Sequence, residues 1–193
     1  MRSRLQLPRP YFLYIARLEH PAKNHCRLLE AYDAYRKAHP DGPDLVFGGS
    51  DWHGAETIHQ RMAQSPFRES IHNLGFVDDA DVPRLYRHSR ALIFPSLFEG
   101  FGLPPLEAMA CGAPVASSPR GALQEVVGDA GRIFDPEDPE SIADALHSMD
   151  SDQQERERLI VAGLRRAADY RWELTAEKMS GIYLEVFGKS KKS

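Results

Sequence analysis

The chain has 193 residues, 42% of them apolar and 27% charged, with a formal net charge of −4. That length supports one domain with its own core, the composition excludes a disordered chain, and the negative balance argues against non-specific nucleic-acid binding. Two cysteines, Cys26 and Cys111, are too few for a disulfide framework, and no apolar stretch approaches the ~18 residues of a membrane span.

Residues 1–9 lack the apolar centre of a signal peptide and read as an N-terminal extension. A single domain is expected over residues 10–187, followed by a basic tail at 188–193. Short apolar runs alternate with amphipathic segments, which predicts an α/β fold: a Rossmann-like, doubly wound parallel sheet of about six strands with C-terminal helices. The first strand is expected over Tyr11 to Ala16. The helix after it runs from about Asn24 to Ala38, with Leu28, Leu29, Tyr32 and Tyr35 on one face. Further strands are expected at Asp44 to Phe47, Ile71 to Leu74, Ala91 to Phe94, Ala113 to Ala116 and Gly131 to Phe134. Between them lie helices near Glu56 to Ala63, Ala80 to His88 and Pro104 to Ala110. Asp78 and Asp79 are expected to cap the helix after them. From Pro139 the pattern is helical to the end, over Pro139 to Met149, Gln153 to Ala168 and Thr175 to Phe187. Trp172, Leu174, Ile182, Tyr183 and Phe187 are expected on the core-facing side of the last helix; docking on the domain, exposure of apolar surface and dimerisation are its three possible outcomes.

The chemistry concentrates between Pro95 and Glu107, read Pro-Ser-Leu-Phe-Glu-Gly-Phe-Gly-Leu-Pro-Pro-Leu-Glu. Glu99 falls on the loop leaving a buried strand, and Glu107 about one turn into the next helix. Open α/β sheets bind ligands at the carboxyl ends of their strands, so both carboxylates can face one crevice. Taken singly, Glu99 is also what a solvated loop charge looks like, and Glu107 a charge favoured near a helix start. The loop backbone of Gly100, Phe101, Gly102 and Leu103, backed by that helix, can donate amides to an anion. Arg17 and Lys23, six residues apart on the loop after the first strand, can converge on one diphosphate, the arginine as a planar fork and the lysine as a mobile charge. A pair of solvated loop cations is the plainer alternative. Gly48-Gly49-Ser50 ends the second strand in what, alone, is a tight turn. His20 and His25 lie five apart, which is not a helix-face pair, and read as surface residues.

The Pro95–Glu107 phrase resembles the E-x7-E signature of retaining, nucleotide-sugar-dependent GT-B glycosyltransferases of the group 1 (family 4) type. The resemblance runs from about Tyr11 to Phe187 and covers only the C-terminal, donor-binding half of such an enzyme. It implies that Arg17 and Lys23 grip the donor diphosphate, that Glu107 accepts hydrogen bonds from the ribose, and that Glu99 holds hydroxyls of the transferred sugar. Arg17, Lys23 and Glu99 are thus the catalytic candidates. Glu107, Gly100, Phe101, Gly102, Leu103, Val77 at the nucleobase and Gly49 at the glycine turn are the binding candidates. The loop Ser117 to Glu125 resembles another family segment but departs from it at Arg120 and Gln124, so no ligand role passes to Glu125.

The activity implied is hexosyl transfer, with mannosyl favoured, from a GDP- or UDP-linked sugar to a carbohydrate or lipid-linked acceptor. No cofactor and no metal is expected, nor any nucleic-acid partner. An acceptor-binding domain or subunit is expected as a partner, since the chain alone looks incomplete for catalysis. A start just before the first strand suits a piece of a longer enzyme. A subunit of a two-chain transferase and a non-catalytic nucleotide-binding module are the alternatives. The expected location is the cytoplasm, with the inner membrane face as a peripheral site.

Overall fold

The computed structural model describes residues 10–190, with side chains through residue 187. Its centre is a six-stranded sheet: β1 (Tyr11–Ile15), β2 (Asp44–Gly48), β3 (Ile71–Asn73), β4 (Ala91–Phe94), β5 (Val115–Ser117) and β6 (Arg132–Ile133). The spatial order is β3-β2-β1-β4-β5-β6. Every pairing is parallel, with Tyr14 beside Phe47 on one flank of β1 and Leu13 beside Leu92 on the other. Strands buried on both faces need unbroken apolar runs rather than alternation, and Tyr11-Phe12-Leu13-Tyr14 and Ala91-Leu92-Ile93-Phe94 supply them.

The strand order reverses beside β1: the chain builds outward to β3, then crosses back to place β4 on the other side. Loops leaving β1 and β4 therefore diverge, and a crevice opens between them at the carboxyl end of the sheet. Right-handed crossovers put the helices of the two halves on opposite faces. One layer holds α1 (His25–Ala38) packed on α2 (Ala55–Gln64) and α6 (Pro139–Ser151). The other centres on α4 (Leu103–Ala110), which contacts α3 (Val82–His88), α5 (Leu123–Val127) and α7 (Gln153–Ala168). Leu28, Leu29, Tyr32 and Tyr35 of α1 are all buried, as their spacing predicts. Asp138 caps α6 by accepting from the Glu140 amide, and Asp152 caps α7 through Glu155.

Four expectations need correction. Asp78 does not cap α3: its carboxylate accepts from the Ala80 amide and closes the preceding turn, while the helix begins after Asp81 without a side-chain bond. One turn of helix, α5, begins inside the loop expected over Ser117 to Glu125, because Leu123, Val126 and Val127 share a buried face over a span too short to show a period. His25 is buried in the core, and His20 is half-buried with its Nδ1 sealed from solvent.

The fourth concerns α8 (Trp172–Ser190). Of the residues expected to face the core only Leu174 is half-buried; Trp172 is 80% exposed and Phe187 69%. Beyond Leu174 the large apolar positions of this helix, Met179, Ile182, Tyr183, Leu184, Val186 and Phe187, face solvent. It runs to Ser190, into the segment expected as a basic tail. The rest of that tail and the extension expected at residues 1–9 lie outside the described residues. No helix among the described residues is long and apolar enough to cross a membrane.

Candidate functional site

The β1–α1 loop is built in two halves. The first runs beside the segment after β2: the Leu18 amide donates to Ser50 O at 2.9 Å, the Trp52 amide to Leu18 O at 3.0 Å, and the His20 amide to His53 O at 3.0 Å. Leu18 is buried by this pairing, so extended-chain alternation turns Arg17 and Glu19 the other way. Arg17 lies 3.5 Å from the Glu19 carboxylate and stacks on Trp52, its Cζ 4.7 Å from the ring centroid.

The second half is anchored from below. The Tyr14 hydroxyl donates to Lys23 O at 2.7 Å. Asn24, in the left-handed region at φ 60°, is buried and donates to Pro95 O at 3.1 Å and Pro136 O at 2.7 Å. Asparagine tolerates that conformation, and its amide ties three loops from distant parts of the chain to one point. The Leu97 amide donates to Ala22 O at 3.0 Å, which brings the loops after β1 and β4 edge to edge. Across that seam the Lys23 ammonium sits 2.7 Å from Glu99 Oε1, with the two side chains only 17% and 14% exposed.

Glu99 is held by its own backbone. The Ala122 amide donates to Glu99 O at 3.1 Å, and a Cβ at Gly121 would stand 2.3 Å from that oxygen. Gly102, at φ 99°, opens α4, and a Cβ there would meet Leu123 at 2.6 Å. Since Pro104 and Pro105 have no amide hydrogen, donors at this helix start come from Gly100, Phe101, Gly102 and Leu103. Phe101 meets Tyr170 edge-on at 5.9 Å. With Leu103, Leu106, Glu107 and Trp172 it lines a groove of about 660 Å³ between α4 and the turn into α8.

Glu107 is exposed and accepts a hydrogen bond from the Tyr86 hydroxyl at 3.1 Å. Burial first, and then the neighbouring carboxylate, push the Tyr86 phenol above its ordinary range, so it remains a donor. Gly49 is more than a turn residue. Its amide donates to Gly75 O at 2.7 Å, and a Cβ would fall 2.0 Å from Ala16 O, so the loops after β1, β2 and β3 meet there. Val77 is half-buried, beside Gly48 at that junction.

The structure thus brings Lys23 and Glu99 into contact and puts Arg17, Gly49, Val77, Gly100 to Leu103 and Glu107 at the carboxyl ends of β1 to β4. It does not pair the two cations with one another: Arg17 is engaged by Glu19 and Trp52. Arg120 forms ion pairs with Glu137 and Asp135, and Arg166 donates to Glu125 O. Three neighbours of the site escaped the sequence reading. Tyr86 has the pattern of an inward-facing position on a short helix, and nothing local marks Trp52. His25 packs at a tilt against Tyr14, with ring centroids 4.6 Å apart, and Phe47, 5.4 Å apart. Burial, then the Lys23 charge and then His20, lower its pKa to about 3, so the ring is neutral. Neither ring nitrogen has a hydrogen-bond partner among the described residues. Among these residues no three His, Cys, Asp or Glu are grouped to hold a metal ion.

A family model described as "Glycosyl transferases group 1" matches residues 2–166. O-antigen chain mannosyltransferase B of Escherichia coli is 39% identical over 165 residues, which are 84% of this chain and 42% of that protein. The chain therefore spans less than half the length of this relative. Among solved structures, the C-terminal domain of the glycosyl transferase group 1 protein LpcC from Francisella tularensis aligns with TM-score 0.72 at 28% identity, covering 82% of this chain and 85% of that domain. HepE from Anabaena in complex with UDP-glucose aligns with TM-score 0.79 at 21% identity over 92% of this chain and 49% of its own, a likeness of fold. With the motif on the switch-point loops and a family match over most of its length, the chain belongs to the group 1 glycosyl transferases and corresponds to the C-terminal half of such an enzyme.

Proposed function

We propose that this domain binds the nucleotide-sugar donor of a retaining glycosyltransferase that moves a hexosyl group, mannose by preference, to a carbohydrate or lipid-linked acceptor. One observation carries the reading: the Lys23–Glu99 pair, nearly buried on the seam between the loops leaving β1 and β4. A nearly buried ammonium at the carboxyl edge of the sheet suits a diphosphate, and the carboxylate next to it suits the hydroxyls of a sugar attached to that diphosphate. The mannosyltransferase relative and the UDP-glucose complex of HepE support a nucleotide sugar as the ligand class. GDP and UDP are both open as the carrier.

In this reading Lys23 and Arg17 bind the diphosphate, with the amides of Gly100 to Leu103 adding donors. Glu107 accepts from the ribose, Val77 and the backbone at Gly49 border the base, and Glu99 holds sugar hydroxyls. As the bond from the anomeric carbon to the diphosphate oxygen breaks, negative charge grows on the phosphate, where cations and amides stabilise it most. The acceptor oxygen bonds to the same face of that carbon, and its proton passes to the departing phosphate oxygen. No metal or cofactor is invoked. A separate acceptor-binding domain or subunit completes the crevice, and the reaction is placed in the cytoplasm, with the inner membrane face as the peripheral site.

Titration calorimetry of the purified chain with GDP, UDP and ADP tests the donor site. One nucleotide should bind. Lys23→Ala should weaken it by about ten- to a hundredfold, as expected for a charged contact of roughly 1.5–3 kcal/mol. Glu107→Ala should weaken it too while the circular dichroism spectrum is unchanged. A folded protein that binds none of the three nucleotides would overturn the assignment.

A further inference from the structure

Trp52 lies four residues past the start of the glycine turn that ends β2, on the same edge of the sheet as the proposed donor site. Its backbone amide donates to Leu18 O at 3.0 Å, and Asp51 bridges Leu18, so the segment is fixed against the β1–α1 loop. The indole is nevertheless 56% exposed. A tryptophan gains most by burial, and this one instead offers its flat face to the guanidinium of Arg17, 4.7 Å from the ring centroid. Among the described residues Arg17 has one other partner, Glu19 at 3.5 Å, a long contact on an exposed side chain.

Free arginine side chains have many rotamers, and fixing one onto a ligand costs on the order of 1.5–2 kcal/mol in conformational entropy. Stacking on an aromatic plane removes part of that freedom in advance. It also leaves the N–H edges of the fork open, because the cation–π contact uses only the guanidinium face. We propose that Trp52 is a positioning residue of the donor site: it holds the Arg17 guanidinium plane so that its N–H edge is ready for diphosphate oxygens. This rests on the donor-site reading above. A lysine at position 17 could not be held the same way, since an ammonium has no plane to stack.

The test is a double-mutant cycle on the purified chain, read by calorimetry with the nucleoside diphosphate that binds. Trp52→Ala should weaken binding about three- to fivefold, the size of an exposed cation–π contact. Trp52→Phe should recover most of the loss. The Arg17→Ala/Trp52→Ala double variant should bind no worse than Arg17→Ala alone. Because the indole is exposed, its removal opens no core cavity. Wild-type affinity in Trp52→Ala overturns the proposal and leaves the donor site standing. Additive losses also overturn it, since the ring would then touch the nucleotide itself.

An unliganded readout separates this proposal from the donor-site reading. The chain has two tryptophans, so in a Trp172→Phe background all indole emission comes from Trp52. Arg17→Ala in that background should shift this emission with no nucleotide present. An unchanged spectrum would sink the pairing even if nucleotides bind. A protein that binds no nucleoside diphosphate would sink the positioning role even if the spectrum shifts.

Discussion

His25 puts a neutral imidazole where the loop bearing Lys23 meets the core, between Tyr14 and Phe47. The unfolded chain takes up a proton at this ring below about pH 6.5, while the folded chain refuses it down to about 3. Below neutral pH the unfolded state therefore binds more protons, and stability falls as the pH drops through that window. Urea unfolding of the wild type and His25→Leu from pH 7.5 to 4.5 checks this. The variant should gain relative to the wild type as the pH falls, by about 3 kcal/mol at pH 4.5. A stability difference that is flat with pH would refute it. Residues such as Arg17, Lys23, Glu99 and Glu107 were legible from charge type and spacing. His25, Trp52 and Tyr86 were not, because each matters through a contact made only when separate elements meet.

Loops, at the scale of elements, are set by where backbone approaches backbone. Gly100 and Gly121 both adjoin Glu99, but a Cβ at Gly100 meets nothing within 4 Å, whereas one at Gly121 would stand 2.3 Å from Glu99 O, at φ +61°. Gly121→Ala should therefore destabilise by about 2 kcal/mol or more through combined overpacking and backbone strain. Gly100→Ala should lie within about 0.5 kcal/mol of the wild type. Paired urea melts give the comparison, and equal effects would refute the account of how the Glu99 loop is seated. The Gly48-Gly49 turn was visible as a turn, but not its contact with Ala16 O, because chain proximity across the sheet leaves no local pattern. The same reasoning explains α5, whose five residues are held by burial rather than by a helical period long enough to read.

Across the whole molecule the buried core ends with α7: Leu159 is its last fully buried apolar residue among those described, and α8 adds only exposed positions apart from Leu174. Removing residues 172–193 should shift the Tm by less than about 4 °C, the equivalent of roughly 1 kcal/mol for a domain of this size. It should also reduce self-association, since apolar side chains such as Ile182, Leu184 and Phe187 leave with it. A Tm lowered by more than about 8 °C in calorimetry would mean that α8 belongs to the folding unit.

From its order of apolar runs, the sequence alone determined that strands and helices alternate in a parallel, doubly wound sheet. Residue type and spacing also determined that two carboxylates and two cations lie at its carboxyl edge, on the loops there and on the helix that follows β4. Those features are local, and local propensity and periodicity encode them. Only the tertiary structure decided that Lys23 meets Glu99, that Arg17 rests on Trp52, that Tyr86 holds Glu107, and that the apolar face of α8 has no partner within the described chain. Each of these depends on which segments pack together across the switch point, and burial and backbone approach are properties of the assembled layers rather than of any window along the chain.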